Sequence, residues 1–248
     1  MPSLESMLRP EWPAPLGVRA ACSTRTGGVS RGSYASLNLG DHVGDDADAV
    51  AENRRRWHAA LSARPVFLRQ LHGVDVRRVG AESADDETAD GSFTSEAHTA
   101  CTVMVADCLP VLLCDAKGHQ VAAAHAGWRG LAAGVLENAL ATFNGGPVLA
   151  WLGPCIGPDA FEVGDEVMAA FEANDAGALR CFRPGAHEGK WLADLPALAR
   201  RRLAAAGVDR VFGNDGGAAW CTVGNPSRFF SHRRDGVSGR IAASIWRA

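Results

Sequence analysis

The sequence predicts a single layered α/β domain in which mixed β-sheets are flanked by helices. Short apolar runs typical of buried strands alternate along the chain with segments of helical periodicity. No repeat, low-complexity tract or break in composition divides the 248 residues, and the balance of 47% hydrophobic to 21% charged residues is typical of a protein with a core. We therefore expect one domain over residues 1–248, with an irregular, proline-rich segment at 1–16.

The first elements are predicted on either side of a glycine-containing turn. Residues 17–23 predict a strand, and the glycine pair that follows permits a turn at 24–28. This turn presents backbone amides and the guanidinium of Arg25. A helix is predicted over residues 46–63, because an aspartate can cap its N-terminus and apolar side chains recur on one face.

A histidine stands between the next two predicted strands. Residues 65–69 and 74–79 predict strands, and His72 lies in the turn that joins them. The acidic, polar segment at 83–96 is predicted to be a loop.

Three short apolar runs predict central strands. Residues 101–106, 110–115 and 120–125 are the kind of runs that become buried strands. Each run ends at or near polar residues, namely Asp107 with Cys108, Asp115, and His125.

The second half of the chain predicts more helices than strands. The patterns predict helices at 131–143, 163–173 and 194–206, a strand at 147–152, and a last strand at 227–231 that leads to His232-Arg233-Arg234-Asp235.

Composition argues against nucleic-acid and membrane partners. The formal net charge of −3 and pI of about 6.2 provide no overall attraction to polyanions. No stretch approaches the roughly 20 apolar residues of a membrane span, and residues 1–17 lack a secretory pattern. Seven cysteines without a CxxC pair indicate reduced thiols. We expect a cytoplasmic protein that is a monomer or weak homo-oligomer.

His72, Cys108 and His125 form a candidate metal site. All three stand at predicted strand ends, where functional sites of α/β proteins gather. Two imidazoles and a thiolate suit zinc, and three protein ligands leave its fourth position open, as in catalytic sites. Because the three residues are far apart in the sequence, spacing alone leaves open that the histidines are instead core residues held by hydrogen bonds.

Other polar residues allow two interpretations each. Arg25 with the amides of Gly27 and Gly28 could bind phosphate, or could be a surface arginine beside a tight turn. Asp90, Asp107 and Asp115 are candidate acids or bases, or residues that cap turns. Cys155 is a candidate nucleophile or a small buried side chain. Residues 232–235 could bind an anion or form a salt-bridge network.

Several motifs together resemble one family. They are TRTGGVSRGSYASLNLGDHVGDD, NRR, QLHGVDV, ADG, VADCLPVLLCD, VAAAHAGWRG, GPCIGPDAFEVGDEV and FFSHRRDGVSGRIA. In this order, from about Cys22 to Trp246, they resemble the YfiH-like family of laccase-domain or polyphenol oxidase proteins, which includes purine nucleoside phosphorylases with adenosine deaminase activity. Residues 214–221 look less typical of that family.

The resemblance implies a YfiH-like fold and assigns roles to the candidate residues. It implies that His72, Cys108 and His125 are zinc ligands in a catalytic site, and that Arg25 helps to bind phosphate or substrate there. We extend the substrate-binding prediction to Gly27, Gly28 and Asp107, which adjoin these residues.

The resemblance also implies the reactions. They are phosphorolysis of adenosine, inosine, guanosine and methylthioadenosine, and deamination of adenosine, so the partners are small molecules. Phosphorolysis needs an anion site beside the anomeric carbon, and deamination needs an activated water, which a zinc with an open position provides.

Two other activities stay open. A His/Cys site can also bind copper in vitro, as a polyphenol oxidase would require, but the eight histidines include no His-x-His pair of the kind multicopper oxidases use. Alternatively, Cys108 is the nucleophile of a hydrolase that edits cell-wall precursors, with His125 or His72 as its base.

Overall fold

Two mixed β-sheets stacked face to face form the centre of the molecule. The computed structural model describes residues 7–248. The four-stranded sheet has the order β1 (Val18–Cys22), β13 (Ile241–Arg247), β5 (Thr99–Val105) and β2 (Arg64–Val66). The six-stranded sheet has the order β12 (Arg210–Gly213), β8 (Val148–Leu152), β6 (Leu109–Asp115), β7 (Val121–Ala126), β4 (Gly91–Thr94) and β3 (Val76–Arg78).

Most neighbouring strands run antiparallel. The parallel pairs are β2 with β5, β12 with β8, and β3 with β4. A separate three-stranded sheet has the order β10 (Phe182–Pro184), β11 (Lys190–Ala193) and β9 (Glu162–Gly164).

The apolar layer between the two main sheets follows from strand periodicity. Side chains alternate between the faces of a strand, so Cys101, Val103 and Val105 of β5 all point to one face. They pack in one cluster with Leu112 of β6 and Trp151 of β8 from the other sheet. Both sheets therefore contribute one face to a shared core.

Helices cover the outer face of each sheet. The helices are α1 (Ala47–Leu61), α2 (Trp128–Ala133), α3 (Val135–Ala141), α4 (Asp165–Glu172), α5 (Leu195–Ala205) and α6 (His232–Asp235). Trp57 and Leu61 of α1 pack on Ala100 and Met104 of the four-stranded sheet. Helices α2 to α5 contribute to the cluster on the outer face of the six-stranded sheet. The result is a helix–sheet–sheet–helix arrangement.

The predicted fold class is confirmed, and so are most of the predicted elements. Strands occur in the predicted runs at 17–23, 101–106, 110–115, 120–125 and 147–152. The predicted helices at 46–63, 163–173 and 194–206 correspond to α1, α4 and α5. Of the segment expected to be irregular, residues 1–6 lie outside the described residues, and 7–16 contain no helix or strand.

Three predictions of local structure were wrong. Strand β4 lies within the predicted loop at 83–96, because neighbouring strands β7 and β3 supply the pairing that its polar sequence does not indicate. The predicted helix at 131–143 is two helices, since Gly134 adopts a φ of 109° and breaks it.

The predicted last strand at 227–231 was also wrong. Phe229 and Phe230 are fully buried, but the amide of Phe229 donates to Asn225 in a turn. The apolar pair reflects burial in the core, whereas the last strand is β13, an apolar run that pairs with β1 and β5.

None of the helices in residues 7–248 is both long and apolar enough to cross a bilayer.

Replacement of a residue between the sheets tests this arrangement. Leu112 is fully buried, so Leu112→Ala should lower the free energy of unfolding by about 2–5 kcal/mol, through lost burial and the cavity left behind. Leu16 is 92% exposed, and Leu16→Ala should change it by less than about 0.5 kcal/mol. Urea denaturation measures both, and equal effects would contradict the stacked-sheet core.

Candidate metal centre

Three chain segments bring His72, Cys108 and His125 together. His72 lies in the loop from β2 to β3, and Cys108 lies in the turn from β5 to β6. Both connections cross from the four-stranded to the six-stranded sheet. His125 is part of β7 in the six-stranded sheet. The fold therefore brings residues that are distant in sequence to one place.

The donor atoms are close enough to share an ion. The ligand atoms of the three residues all lie within 4.8 Å of one another. The Sγ of Cys108 lies 3.6 Å from Nε2 of His72. Ligands at zinc bond lengths of about 2.0–2.3 Å in a tetrahedron are about 3.5 Å apart, so this spacing fits a shared cation. His125 is buried and His72 exposed, so the group opens to solvent on one side.

The buried carboxylate of Asp90 organises two of these residues. Its Oδ1 accepts a hydrogen bond from Nδ1 of His125 at 2.8 Å and another from the amide of His72 at 2.8 Å. Its Oδ2 accepts from the amides of Leu71 and Gly73 at 3.1 and 2.7 Å. With Nδ1 committed to Asp90, Nε2 of His125 is the nitrogen left for a metal.

Hydrogen bonds to Asp90 stabilise an unusual backbone at His72. This residue has a φ of 61°, in the left-handed region that costs a non-glycine residue about 1–2 kcal/mol. Three successive amides, at residues 71, 72 and 73, point to the same carboxylate and form an anion-binding nest. The nest offsets the strain and holds the imidazole in place.

A second aspartate fixes the turn that presents Cys108. Asp107 also has a left-handed backbone, with a φ of 89°. Its carboxylate accepts from the Thr222 hydroxyl and the Arg233 amide, each at 2.6 Å, and its carbonyl accepts from the Ile156 amide. These bonds tie the Cys108 turn to two loops and to helix α6, and both carboxylate oxygens of Asp107 are already engaged.

Charges in the site favour a thiolate. Burial acts to raise the pKa of Cys108, but the charge of His125 and hydrogen bonds from both histidines outweigh it and lower the pKa to about 6. Burial acts to lower the pKa of His125, but the Cys108 thiolate and Asp90 raise it to about 9. Burial likewise opposes ionisation of Asp90, yet bonds from His125 and Gly73 hold its pKa below the usual range. A thiolate is the form of cysteine that binds metals.

Gly127 allows the chain to pass directly beside the donors. A Cβ at this position would lie 2.8 Å from Cδ2 of His72 and 3.0 Å from Sγ of Cys108. A larger residue at 127 would therefore displace these two side chains, which explains the glycine where β7 leads into α2.

The donors open into a cavity of about 430 Å³, within the range of small-molecule sites. Trp128 and Phe161 line it with aromatic rings, and Arg129, Arg233 and Arg240 with positive charge. Asp107 is the one acidic side chain of the lining. Such a lining suits a planar ring system together with an anion.

The predicted phosphate turn lies outside this lining. The guanidinium of Arg25 donates to the carbonyls of Ala35 and Pro226 and lies 4.8 Å from the Phe230 ring. The Gly28 amide donates to a serine hydroxyl, and Gly27 has a φ of 98°. Arg25, Gly27 and Gly28 are thus not brought into the cavity with the three donors, whereas Asp107 is. Their role in binding stays a prediction.

Of the remaining candidates, His232 and Arg233 line the cavity and the others do not. Arg234 pairs with Asp235, and Asp115 accepts from amides of its own turn. Burial raises the pKa of the Cys155 thiol.

The sequence interpretation missed the stabilising role of Asp90 and the lining residues Trp128, Arg129, Phe161 and Arg240. For Trp128 and Arg129, their position three and four residues after His125 in the AHAGWRG motif is a signal that was available.

Comparison with known proteins identifies similar chains. The family model described as multi-copper polyphenol oxidoreductase laccase matches residues 19–248. The Escherichia coli protein named purine nucleoside phosphorylase YfiH is 51% identical over 247 residues, which cover 98% of this chain and 99% of that protein. A Pseudomonas aeruginosa protein also named purine nucleoside phosphorylase is 51% identical over 245 residues, with the same coverage.

Solved structures share the fold. The crystal structure of a Neisseria meningitidis protein superposes with a TM-score of 0.92 at 46% identity, covering 98% of this chain and 99% of that one. YlmD from Geobacillus stearothermophilus gives a TM-score of 0.84 at 32% identity, covering 98% and 96%. Both similarities extend over nearly the whole length.

Replacement of the shared carboxylate tests its role. Asp90→Asn removes the charge and one of the two oxygens that accept from the amides of the His72 turn and from Nδ1 of His125, so the affinity for a divalent metal ion should fall by about 10–100-fold. Asp115→Asn is a matched control, because Asp115 also accepts from two turn amides but lies away from the donors. Competition with a chelator measures both. Equal affinities for the Asp90 variant and the unmodified protein would contradict the role.

Proposed function

We propose a specific activity for this chain, which belongs to the multi-copper polyphenol oxidoreductase laccase family. The proposed activity is that of a zinc-dependent purine nucleoside phosphorylase that also deaminates adenosine. The proposed substrates are adenosine, inosine, guanosine and methylthioadenosine. The names of the Escherichia coli and Pseudomonas aeruginosa relatives support the phosphorylase activity. The single observation that carries the proposal is the convergence of His72, Cys108 and His125 on a cavity lined by aromatic rings and arginines.

The donor set fits zinc. Two imidazole nitrogens and one thiolate are common zinc ligands, and the buried Asp90 supplies the partner that metal-binding histidines usually have. Three protein ligands leave one position open, as in catalytic sites. When bound, zinc supplies a Lewis acid and lowers the pKa of a water molecule to about 7.

The cavity residues suit phosphorolysis. In this reaction an oxygen of phosphate forms a bond to the anomeric carbon, while the bond to the purine nitrogen breaks and its electron pair stays with the purine, which takes up a proton. Trp128 and Phe161 provide aromatic rings that can pack against a purine, and the guanidinium carbons of Arg129 and Arg233 lie over them at 4.4 and 5.7 Å from the ring centroids. Arg129, Arg233 and Arg240 provide the positive potential that phosphate needs.

The same cavity suits deamination. At carbon six of adenosine, a water oxygen forms a bond to carbon and the amino group leaves as ammonia. A small molecule can approach His72, which is exposed, and Cys108, which is partly exposed, whereas His125 is buried against Asp90.

Copper oxidation and cysteine hydrolysis have less support. Within residues 7–248 only the group of His72, Cys108 and His125 brings three metal-binding side chains together, and it cannot assemble the several-histidine cluster of a multicopper oxidase. Copper can occupy such a group in vitro because it competes well for nitrogen and sulfur ligands. A hydrolase would require a free Cys108 thiolate, which zinc would coordinate.

We further propose a cytoplasmic, monomeric or weakly self-associating enzyme, in keeping with its cysteines and charge. The cysteines are all free in the structure.

Removal of the thiolate ligand tests the proposal. Cys108→Ala should lose bound zinc, phosphorolysis and deamination together, because the two histidines that remain make a poor zinc site. Metal analysis reports the zinc. Incubation with adenosine, with and without phosphate, separates adenine plus ribose phosphate from inosine.

Cys181→Ala is the control for loss of a thiol, since Cys181 is partly exposed and lies outside the cavity lining. This variant should keep zinc and both reactions. Turnover of adenosine by a correctly folded, zinc-free Cys108→Ala protein would contradict the proposal, as would a zinc-loaded unmodified protein that forms neither product.

A further inference from the structure

We infer that Arg129 binds the phosphate co-substrate at the metal cavity, in place of the Arg25 turn that the sequence suggests. The inference rests on the proposed function, because it assigns the phosphate subsite of that reaction.

The N–H groups of the Arg129 guanidinium donate no hydrogen bond within the described residues. Within the described residues, Arg129 makes no hydrogen bond or ion pair and is exposed. Arg233 donates to the carbonyl of Glu162, and Arg240 donates to the carbonyls of Ser238 and Gly239. Arg25 likewise donates to two carbonyls. Of the cavity-lining arginines in the described part of the chain, Arg129 is the one with all its donors available for a ligand.

The chain path brings Arg129 to the metal-binding donors. A Cβ on Gly127 would contact both His72 and Cys108, so the backbone at 127 lies beside the donor atoms. Arg129 follows two residues later, which places its Cα within about 8 Å of that point. An extended arginine side chain covers a comparable distance, and the residue is part of the cavity lining.

Contact with Trp128 orients the Arg129 guanidinium and leaves its N–H groups available to an anion. The Cζ atom of Arg129 lies over the Trp128 ring, 4.4 Å from its centroid. Cation–π contact with a flat aromatic surface orients the planar fork but uses none of its N–H donors. Two parallel N–H groups of such a fork match two oxygens of a phosphate.

The charge of the cavity favours a phosphate. The lining contains three arginines, and its one acidic side chain, Asp107, already accepts from Thr222 and Arg233. The carboxylate therefore does not compete for Arg129. During phosphorolysis Arg129 would hold the non-attacking oxygens, while a further phosphate oxygen forms the bond to the anomeric carbon.

Steady-state kinetics on the zinc-loaded protein test this assignment. Arg129→Gln should raise the KM for phosphate in inosine phosphorolysis by about tenfold or more, because it removes two charge-assisted hydrogen bonds. Arg129→Lys keeps the charge without the fork and should give a smaller rise. Arg31→Gln is the matched control, since Arg31 is exposed, lies outside the cavity lining and changes the net charge equally. Zinc content should be the same in all three variants.

Arg25→Gln, assayed in parallel, separates the two candidate subsites. A rise in the KM for phosphate with Arg25→Gln but not with Arg129→Gln would overturn the assignment.

Calorimetric titration with inorganic phosphate at constant ionic strength separates this inference from the proposed function, because it needs no turnover. Binding by the unmodified protein that is lost in Arg129→Gln supports the assignment, even if no nucleoside is cleaved. Equal binding by both proteins, or no binding by the unmodified protein, would overturn it, even if phosphorolysis is observed.

Discussion

The candidate site depends on the hydrogen bonds that both oxygens of the Asp90 carboxylate accept. Its two oxygens accept from three successive amides of the His72 turn and from the ring of His125. A buried carboxylate with four hydrogen-bond donors is stable as an anion, and each donor belongs to a segment that presents His72 or His125. A left-handed histidine and a second imidazole from another strand are thereby fixed relative to each other. Preorganisation of this kind lowers the entropic cost of closing a three-ligand site on one ion.

The stacked sheets explain why the ligands meet at this point. The connections that carry His72 and Cys108 each pass from one sheet to the other, and His125 lies in β7 beside them. Asp107 ties the Cys108 turn to Ile156 and Arg233, which line the cavity, and to Thr222. The core between the sheets therefore sets the positions of the crossing turns, and hydrogen bonds to two aspartates set their detailed shape. Stability and site geometry are coupled through these connections.

Periodicity identified the buried strands and the long helices because their apolar faces carry the signal locally. It failed for β4, whose strand state depends on its neighbours, and for the segment around Phe229, where burial occurs without a strand. For the site, strand ends indicated His72, Cys108 and His125, and the family motifs distinguished them from core residues. Asp90 was one of several possible aspartates, since a carboxylate that bonds to a turn 17 to 19 residues away leaves no local pattern. The commitment of Arg25 to backbone carbonyls is a tertiary contact of the same kind.

In the proposed site, two imidazoles and one thiolate share a single zinc ion with an open position. X-ray absorption at the zinc edge of the purified protein tests this most directly. The proposed site predicts one sulfur neighbour at about 2.3 Å, two imidazole nitrogens at about 2.0–2.1 Å, and one further light atom from solvent. A zinc shell without sulfur, a shell with several sulfurs, or a protein that binds no zinc at neutral pH would contradict this site.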